Sequence, residues 1–439
     1  MSKIHEASEV ALLPQFNLWT VPPTQTSVLN DIEYELRPIA TFDAKSPIKF
    51  EHVCPFDEYV MLNESHLNLR LKLKLLSTDP AKKPINAQAW NTVTPVNNFM
   101  HSLFESVSIK VNNTDISRSP SSYAYRSFFE TFLSFADSAK QGHLQCVGYN
   151  DEAEKRRKYL FANMNDANDE CTIDLENMIH SDLTFQEKAI IGGAKLNFEF
   201  LPAKASFYFV MSDPAYDLFV TFEDATLYIH KFRVSQDLER AHRHAIERAP
   251  IRYPITRTQV YNMQIQQGVH EALLDNVITG ELPRRIFFGL VEHDAFGNGN
   301  GLKDPYTFKH FNMNFIACYI GGRQVPNRPY QPDFDEKRCT REYRSLYRAL
   351  NQTGTDTYLT LSKDAWMKEK CIFGFNFAPD CSNGAGGGSD HVNLKENGAL
   401  RMHLKFKKPL SISVNVVLFA EFDNCIEIDS LGQVMVDYI

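Results

Sequence analysis

The chain has 439 residues, of which 43% are hydrophobic and 23% charged, and its formal net charge is −8. This length exceeds one ordinary core and predicts about two domains. Proteins that bind nucleic acid through their main surface are usually basic, so the charge leaves DNA as at most an indirect neighbour. The local basic run at residues 155–158 is interpreted as a solvated loop.

The cysteine pattern and the hydropathy both indicate a protein made inside a cell. The eight cysteines are scattered and form no CxxC pair, which favours reduced thiols over a disulfide scaffold or a zinc site. Residues 1–16 contain Lys3, Glu6 and Glu9 and no long apolar stretch, so no signal peptide is predicted. No run approaches about 18 apolar residues, so no membrane-spanning segment is predicted. We expect a soluble protein, with cytoplasm or nucleus left open.

The chain begins with a segment that we interpret as an arm. Up to about Asp43 it is taken as polar, with Pro22 and Pro23 and with Thr and Ser nearby. Such a segment is expected to be extended, or ordered only against something else.

Strands with one buried face and one solvent-exposed face follow. In residues 66–76, HLNLRLKLKLL, every second residue from Leu67 to Leu75 is leucine and the residues between them are polar. Residues 195–200, 401–407 and 412–422 alternate in the same way, and the last of these contains the longest apolar row. This period of two is typical of antiparallel sheets with one solvated face.

Helices are predicted to be few and short, at residues 123–135, 236–248 and 341–351. Many short strands separated by turn residues favour β-sandwiches.

The two halves of the chain repeat one pattern. Residues 106–111 are followed by Asn112-Asn113, a Ser/Pro-rich link and the tripeptide Tyr125-Arg126-Ser127. Residues 315–320 are followed by Gly321-Gly322, a Pro-rich link and Tyr343-Arg344-Ser345. Residues 220–229 and 417–428 also match as an apolar strand, an acidic break and a second apolar stretch. We infer a duplication, with its seam at residues 231–255.

No motif for catalysis, a cofactor or a metal stands out. GxSxG, HExxH and both phosphate-binding glycine motifs are absent from the sequence. The glycines at 384 and 386–388 are interpreted as a flexible loop, and Ile190-Ile191-Gly192-Gly193 as a tight turn. His242 and His244 are two residues apart on a predicted helix, so they face different sides. The remaining candidate, Glu292-His293-Asp294, is interpreted as a strand end. We therefore predict no enzyme, no catalytic residue, no cofactor and no metal site.

From Leu282 onward the sequence resembles a known family. The stretches that carry the likeness are LPRRIFFGLVEHDAF, PYTFKHFNMNFIACYIGGRQVPNRPYQPDF and the ending VLFAEFDNCIEIDSLGQVMVDYI, with DATLYIHKFRVS and APIRYPITR upstream. They resemble the double jelly-roll major capsid proteins of Polinton/Maverick elements and adintoviruses, in the adenovirus-type capsid lineage. The likeness is dense from about Asp224 to the C-terminus and thinner before it. The chain departs from the family at residues 298–301 and 381–390.

This resemblance implies an all-β fold of two eight-stranded antiparallel jelly rolls in tandem, with a few short helices. It also implies homotrimers of pseudo-hexameric outline that tile an icosahedral shell around double-stranded DNA. The implied partners are other copies of the chain, a single jelly-roll vertex protein and minor capsid proteins, and the implied location is the virion.

With the seam above, the expected organisation is an arm at 1–43, a first jelly roll at 44–235, a linker helix at 236–249 and a second jelly roll at 250–439. Three alternatives stay open. One is an adhesive or carbohydrate-binding β-sandwich, such as a vertex or fibre protein. A cupin-type enzyme is another, although the histidines offer no metal set. The third is a domesticated capsid-derived protein that no longer makes virions.

Overall fold

A computed structural model describes residues 4–40, 46–78, 87–118, 122–162, 170–213, 215–296, 301–354, 359–382 and 391–438. The glycines at 384 and 386–388, residues 298–300 and residues 383–390 lie outside these ranges, so the predictions made for them concern undescribed residues.

The first half of the chain forms two four-stranded antiparallel sheets. One has the order β1-β10-β3-β7 and the other the order β2-β8-β5-β6, and the short strands β4 and β9 pair separately. The strands are β1 (Val28–Leu36), β2 (Ile48–Val53), β3 (Glu58–Ser77), β4 (Val93–Pro95), β5 (Phe104–Val111), β6 (Thr114–Arg118), β7 (Glu170–Met178), β8 (Lys195–Pro202), β9 (Phe209–Met211) and β10 (Tyr216–Val234).

The second half forms two further antiparallel sheets. Their orders are β11-β18-β13-β16, with β19 also paired to β18, and β12-β17-β14-β15. The strands are β11 (Ile251–Ile265), β12 (Glu271–Glu281), β13 (Arg285–Glu292), β14 (Met313–Ile320), β15 (Arg323–Tyr330), β16 (Ile372–Asn376), β17 (Asn397–Phe406), β18 (Val414–Ile428) and β19 (Val434–Val436).

The two halves have the same topology. If β1, β2, β3, β5, β6, β7, β8 and β10 are matched in order with β11–β18, both sheets of the first half reproduce both sheets of the second. The β5–β6 and β14–β15 hairpins also correspond. Their turn residues Asn112-Asn113 and Gly321-Gly322 all have positive φ, as tight hairpin turns of this kind require. The fold is therefore a double jelly roll, and the predicted duplication is confirmed at the level of strand order.

The helices lie mainly in the connections between strands. The three that the sequence predicted are present as α3, α7 and α8. The α-helices are α1 (Ala87–Trp90), α2 (Phe99–Ser102), α3 (Tyr123–Ser134), α4 (Asp137–Gln141), α5 (Ala153–Leu160), α6 (Ala205–Tyr208), α7 (Gln236–Ile246), α8 (Thr340–Ala349) and α9 (Lys363–Lys368), and the 3-10 helices are Pro14–Phe16, His143–Val147 and His293–Ala295. Both α3 and α8 lie in the connection between the fifth and sixth matched strands of their jelly rolls.

The alternating strands bury the faces that their patterns predict. All five leucines from Leu67 to Leu75 on β3 are buried, whereas Arg70 and Lys72 between them carry ion pairs at the surface. The alternate apolar residues of β8 and β17 are buried in the same way. These rows form the cores between the paired sheets.

Strand β18 differs from its prediction. It begins at Val414 rather than at residue 412, and both of its faces are buried from Val414 to Phe422. The row that contains Leu418 faces the core of its own roll. The opposite row contains Val417 and Phe419, and Phe419 stacks on Phe129 of the first jelly roll, so this face is covered as well.

The predicted arm at 1–43 also differs from the structure. Residues 28–36 form β1, which pairs with β10 in the first sheet. The segment before it is not polar, because large apolar side chains extend from it into solvent: Ile4, Val10, Leu12, Leu13, Phe16, Leu18, Trp19 and Val21.

Candidate assembly interface

The cluster Glu292-His293-Asp294 has a structural explanation. Glu292 ends β13 and forms ion pairs with Lys303 and Lys309, each at 2.6 Å. Burial opposes its ionisation, but the hydrogen bonds from the two lysines lower the pKa of Glu292 below its ordinary value. His293 turns away and contacts the Asn415 amide oxygen through Nδ1 at 2.8 Å. Glu292 is thus held as a carboxylate by two cations.

The two histidines of α7 have separate partners. His242 Nδ1 lies 3.0 Å from the Tyr59 hydroxyl, whereas His244 lies beside Glu247 and Arg248 on the exposed side. Among the described residues, no group of three or more His, Cys, Asp or Glu side chains could hold a metal ion. No helix within the described ranges is long and apolar enough to cross a membrane.

Gly192 and Gly193 form the tight turn that the sequence predicted. Gly193 has a φ of +87°, and a Cβ on Gly192 would lie 2.4 Å from the carbonyl oxygen of Phe56. Ile190 pairs with Val60 through two backbone hydrogen bonds. This turn brings the β7–β8 connection against the start of β3.

Helix α3 joins the two jelly rolls through aromatic stacking. Phe129 stacks on Phe419 of β18 with ring centroids 5.5 Å apart, and Phe128 stacks on Tyr306 at 4.4 Å. Phe308 lies against both phenylalanines and covers Gly289 of β13. Nearly the whole of α3 is buried, which is the environment expected of a helix that is aromatic on several sides.

A buried ionic network lies beside this aromatic contact. Arg126 of α3 donates to Glu130 at 2.9 Å and to Asp182 at 2.7 Å. Thr258 of β11 crosses from the second roll, with its backbone N–H donating to Asp182 at 2.9 Å and its hydroxyl to Glu130 at 3.1 Å. His180 Nδ1 lies 2.7 Å from the other Glu130 oxygen. The network therefore ties the two rolls through Thr258.

The charges of this network are set by burial and by one guanidinium. Burial opposes ionisation of Glu130, but Arg126 and the contact with His180 hold the pKa of Glu130 below its ordinary value. Burial raises the pKa of Asp182 in spite of the same arginine. Removal of Arg126 would leave two buried carboxylates without their cation.

The C-terminal tail forms a third link between the halves. After β19 the Tyr438 hydroxyl donates to the carbonyl oxygen of Ile116 at 2.6 Å. The Asn112 side chain, in the β5–β6 hairpin, donates to the carbonyl oxygen of Gly432 at 2.7 Å. The tail of the second roll thus lies across a hairpin of the first.

Sequence reasoning found α3 but not its role. It identified the Tyr125-Arg126-Ser127 tripeptide as a mark of duplication and missed that Arg126 is buried between the rolls. The signal was present in YAYRSFFETFL, because a helix with aromatic residues around most of its circumference needs partners on several sides.

Two oppositely charged surfaces are exposed within the described part of the chain. On β1 the residues Asp31, Glu33 and Glu35 lie on one face of an edge strand and are exposed. On α8 the residues Arg341, Arg344 and Arg348 form an exposed stripe. Both surfaces belong to strands or helices that the duplication repeats.

Comparison with known proteins gives one relative by sequence and several by structure. An uncharacterized protein of Caenorhabditis elegans is 26% identical over 440 residues, which cover 95% of this chain and 100% of the relative. No protein-family model matches the chain.

Several solved structures of viral proteins resemble this chain. A chain of the Sputnik virophage matches with a TM-score of 0.68 and 11% identity, over 99% of this chain and 94% of that one. The Faustovirus major capsid protein matches with a TM-score of 0.60 and 9% identity, over 95% and 92%. The mavirus major capsid protein matches with a TM-score of 0.52 and 9% identity, over 99% of this chain and 97% of that one. These likenesses show the fold, a double jelly roll that this chain shares with two proteins named as viral major capsid proteins.

Proposed function

We propose that this chain is a major capsid protein whose copies assemble into a viral or virus-like shell. The observation that carries the proposal is the pair of jelly rolls with identical strand order, held side by side by α3 in one chain. The same arrangement extends over nearly the full length of two proteins named as major capsid proteins. The protein would then be located in the virion.

The unit of assembly in this proposal is a homotrimer. Three copies of a chain with two similar rolls give six rolls around one axis, and one heterologous contact repeated three times closes the ring. The exposed apolar side chains of the arm and the exposed charged surfaces on β1 and α8 are available for such contacts. We expect each interface to bury more than about 2,000 Å², as obligate assemblies do.

The trimers would tile an icosahedral shell around double-stranded DNA. A single jelly-roll vertex protein and minor capsid proteins would complete the shell. DNA would be an indirect neighbour, because a net charge of −8 gives little electrostatic affinity for phosphate. In domain terms we place an arm at residues 1–27, the first roll at 28–234, the linker helix α7, and the second roll from 251 onward.

The source that best fits both sequence and fold is a Polinton/Maverick-type element. The sequence resemblance supports this assignment, and the relative from an animal is consistent with it, because such elements reside in host genomes. The same relative favours a second candidate, a domesticated capsid-derived protein that forms trimers but no virions.

Electron microscopy of the purified, concentrated protein tests the proposal. We expect particles of near-hexagonal outline, and closed shells if assembly proceeds without partners. Trimers without shells under every condition, together with a host cell that releases no particles, would support the domesticated protein. Particles the size of one chain in every field would contradict both.

A further inference from the structure

The duplicated helices α3 and α8 place equivalent arginines in different environments. Arg126 is the middle residue of Tyr125-Arg126-Ser127 and Arg344 the middle residue of Tyr343-Arg344-Ser345. The first is buried between two jelly rolls and pairs with carboxylates. The second is exposed. Helix α3 therefore lies in an interface within the chain, whereas α8 exposes the equivalent arginine to solvent.

The surface that α3 covers has a counterpart in the first roll. Phe129 and the α3 network contact the outward faces of β18 and β11, at Phe419 and Thr258. In the matched strand order these strands correspond to β10 and β1. The ring of Tyr34 on β1 packs on His52 of β2 in the facing sheet, so the Tyr34 side of β1 is turned toward the interior of the first roll. The outward face of β1 and β10 is the opposite side.

This outward face is acidic along one strand and aromatic along the next. The β1 residues lie directly across from β10 residues in the antiparallel register, and the pairs are Asp31 with Phe232, Glu33 with His230 and Glu35 with Tyr228. Glu33 has a weak contact with His66 at 3.5 Å and Glu35 pairs with Arg37. Asp31 makes no ion pair with any residue that the structure describes. The acidic row thus lies at an open sheet edge.

Helix α8 presents the complementary charge. Arg341, Arg344 and Arg348 lie three and four residues apart, so they share one side of the helix, and Leu346 and Ala349 on the other side are buried. Arg341 is used locally, since it donates to the carbonyl oxygens of Pro329 and Arg328. The side chains of Arg344 and Arg348 form no ion pair and no hydrogen bond within the described part of the chain.

We propose that α8 of one copy docks on the β1–β10 outward face of a second copy, with Arg344 and Arg348 against Asp31 and Glu33. The docking helix and the docked strands are the counterparts of α3 and of β11 and β18, which meet inside one molecule at the Phe129–Phe419 stack and at Thr258. The ion pairs between molecules are a new element, because Arg126 pairs with Glu130 and Asp182 of its own roll. Guanidinium groups pair with carboxylates and also stack on aromatic rings, so the stripe matches both rows of the face. Each copy offers one stripe and one acidic face, and the contact is therefore heterologous and can close a ring. This inference rests on the proposed function, because it names the surfaces through which copies would associate.

Charge reversal and charge swap test the contact in the full-length chain. The double variant Arg344→Glu, Arg348→Glu should raise the dissociation constant for self-association, measured by sedimentation, by at least about tenfold. Adding Asp31→Lys and Glu33→Lys to the same chain should return it to within about threefold of wild type. Arg323→Glu, an exposed arginine in the β14–β15 hairpin, is the matched control and should leave association unchanged. Circular dichroism melts establish that all variants fold.

The possible outcomes separate the two claims. Wild-type copies that associate while the double variant associates equally well would overturn the docking of α8 and leave the capsid proposal standing. The same holds if the double variant loses association but the swap does not restore it, or if the stripe proves to bind nucleic acid and not the second copy. Wild-type protein that never associates would overturn both.

Discussion

Phe129 of the first jelly roll stacks on Phe419 of the second, with ring planes inclined by only 20°. The Arg126 network and Phe308 lie beside this contact between the rolls. In the proposed trimer this interface has to be rigid, because the angle between the rolls sets the outline of the ring that they build.

Substitution of Phe129 by alanine should therefore weaken the whole chain. We expect Phe129→Ala to lower the free energy of unfolding by about 3–5 kcal/mol, since it leaves a cavity against Phe419 and Phe308. Phe219→Ala is the control, because Phe219 is an exposed residue of β10, and it should change the free energy by no more than about 0.5 kcal/mol. Urea titration followed by fluorescence measures both. Equal losses would show that Phe129 does not join the rolls.

Two neighbouring residues of β3 test the facing assignment of that strand. Leu71 is fully buried, so Leu71→Asp should place a carboxylate in an apolar core and cost several kcal/mol, on the order of 4. Lys72 points to the surface and pairs with Glu170, and Lys72→Gln should cost about 0.5 kcal/mol or less. Thermal melts of the two variants decide the point, and a larger shift for Lys72→Gln would reverse the assignment.

His52 should make stability depend on pH. Burial, and then the nearby Lys231 cation, lower the pKa of His52 from its ordinary value near 6.5 to about 4. The folded state therefore disfavours the imidazolium, so the contribution of His52 to stability is fully present above pH 6.5 and is lost as the pH falls toward 4. Unfolding free energies at pH 7.5 and pH 5.0 should differ more for wild type than for His52→Phe, which keeps a ring beside Tyr34. The same pH dependence in both proteins would remove His52 as the cause.

The sequence predicted the strands well because a period of two shows which face is dry. The alternation alone was enough to assign the row from Leu67 to Leu75, and Phe198, to a core. The pattern failed at β18, where Phe419 is buried by the first roll and not by its own sheet, and no local pattern reports a partner that lies far away in the chain. It failed again for Arg126, because a charged residue is expected at a surface unless its counter-ions are known.

The arm differs from its prediction for a different reason. Its apolar residues follow neither a period of two nor a helical period, so Phe16 and Trp19 gave no signal of a buried face. Only the structure shows that these side chains have no cover within the described chain. For Phe419 and Arg126, what the sequence could not predict is a contact between distant parts of the chain.

Removal of the arm should spare the fold and weaken assembly. We expect deletion of residues 1–27 to change the free energy of unfolding by no more than about 0.5 kcal/mol, because the large apolar side chains of the segment are exposed. Association between copies should weaken, because the deleted apolar side chains can no longer be buried against a neighbouring copy. The full-length variant Phe16→Ser, Trp19→Ser should show the same defect with the arm present. Assembly at wild-type concentrations by both variants would mean that the arm has another use.

The mass of the particle that the purified chain forms is the most direct test of the capsid proposal. Native mass spectrometry at micromolar concentration should give a species of about 151 kDa, three times the 50.3 kDa of one chain. That species should persist across moderate salt and neutral pH, as an obligate trimer does. A spectrum that contains only the 50.3 kDa chain under all of these conditions would leave the double jelly roll intact and contradict its role as a capsid protein.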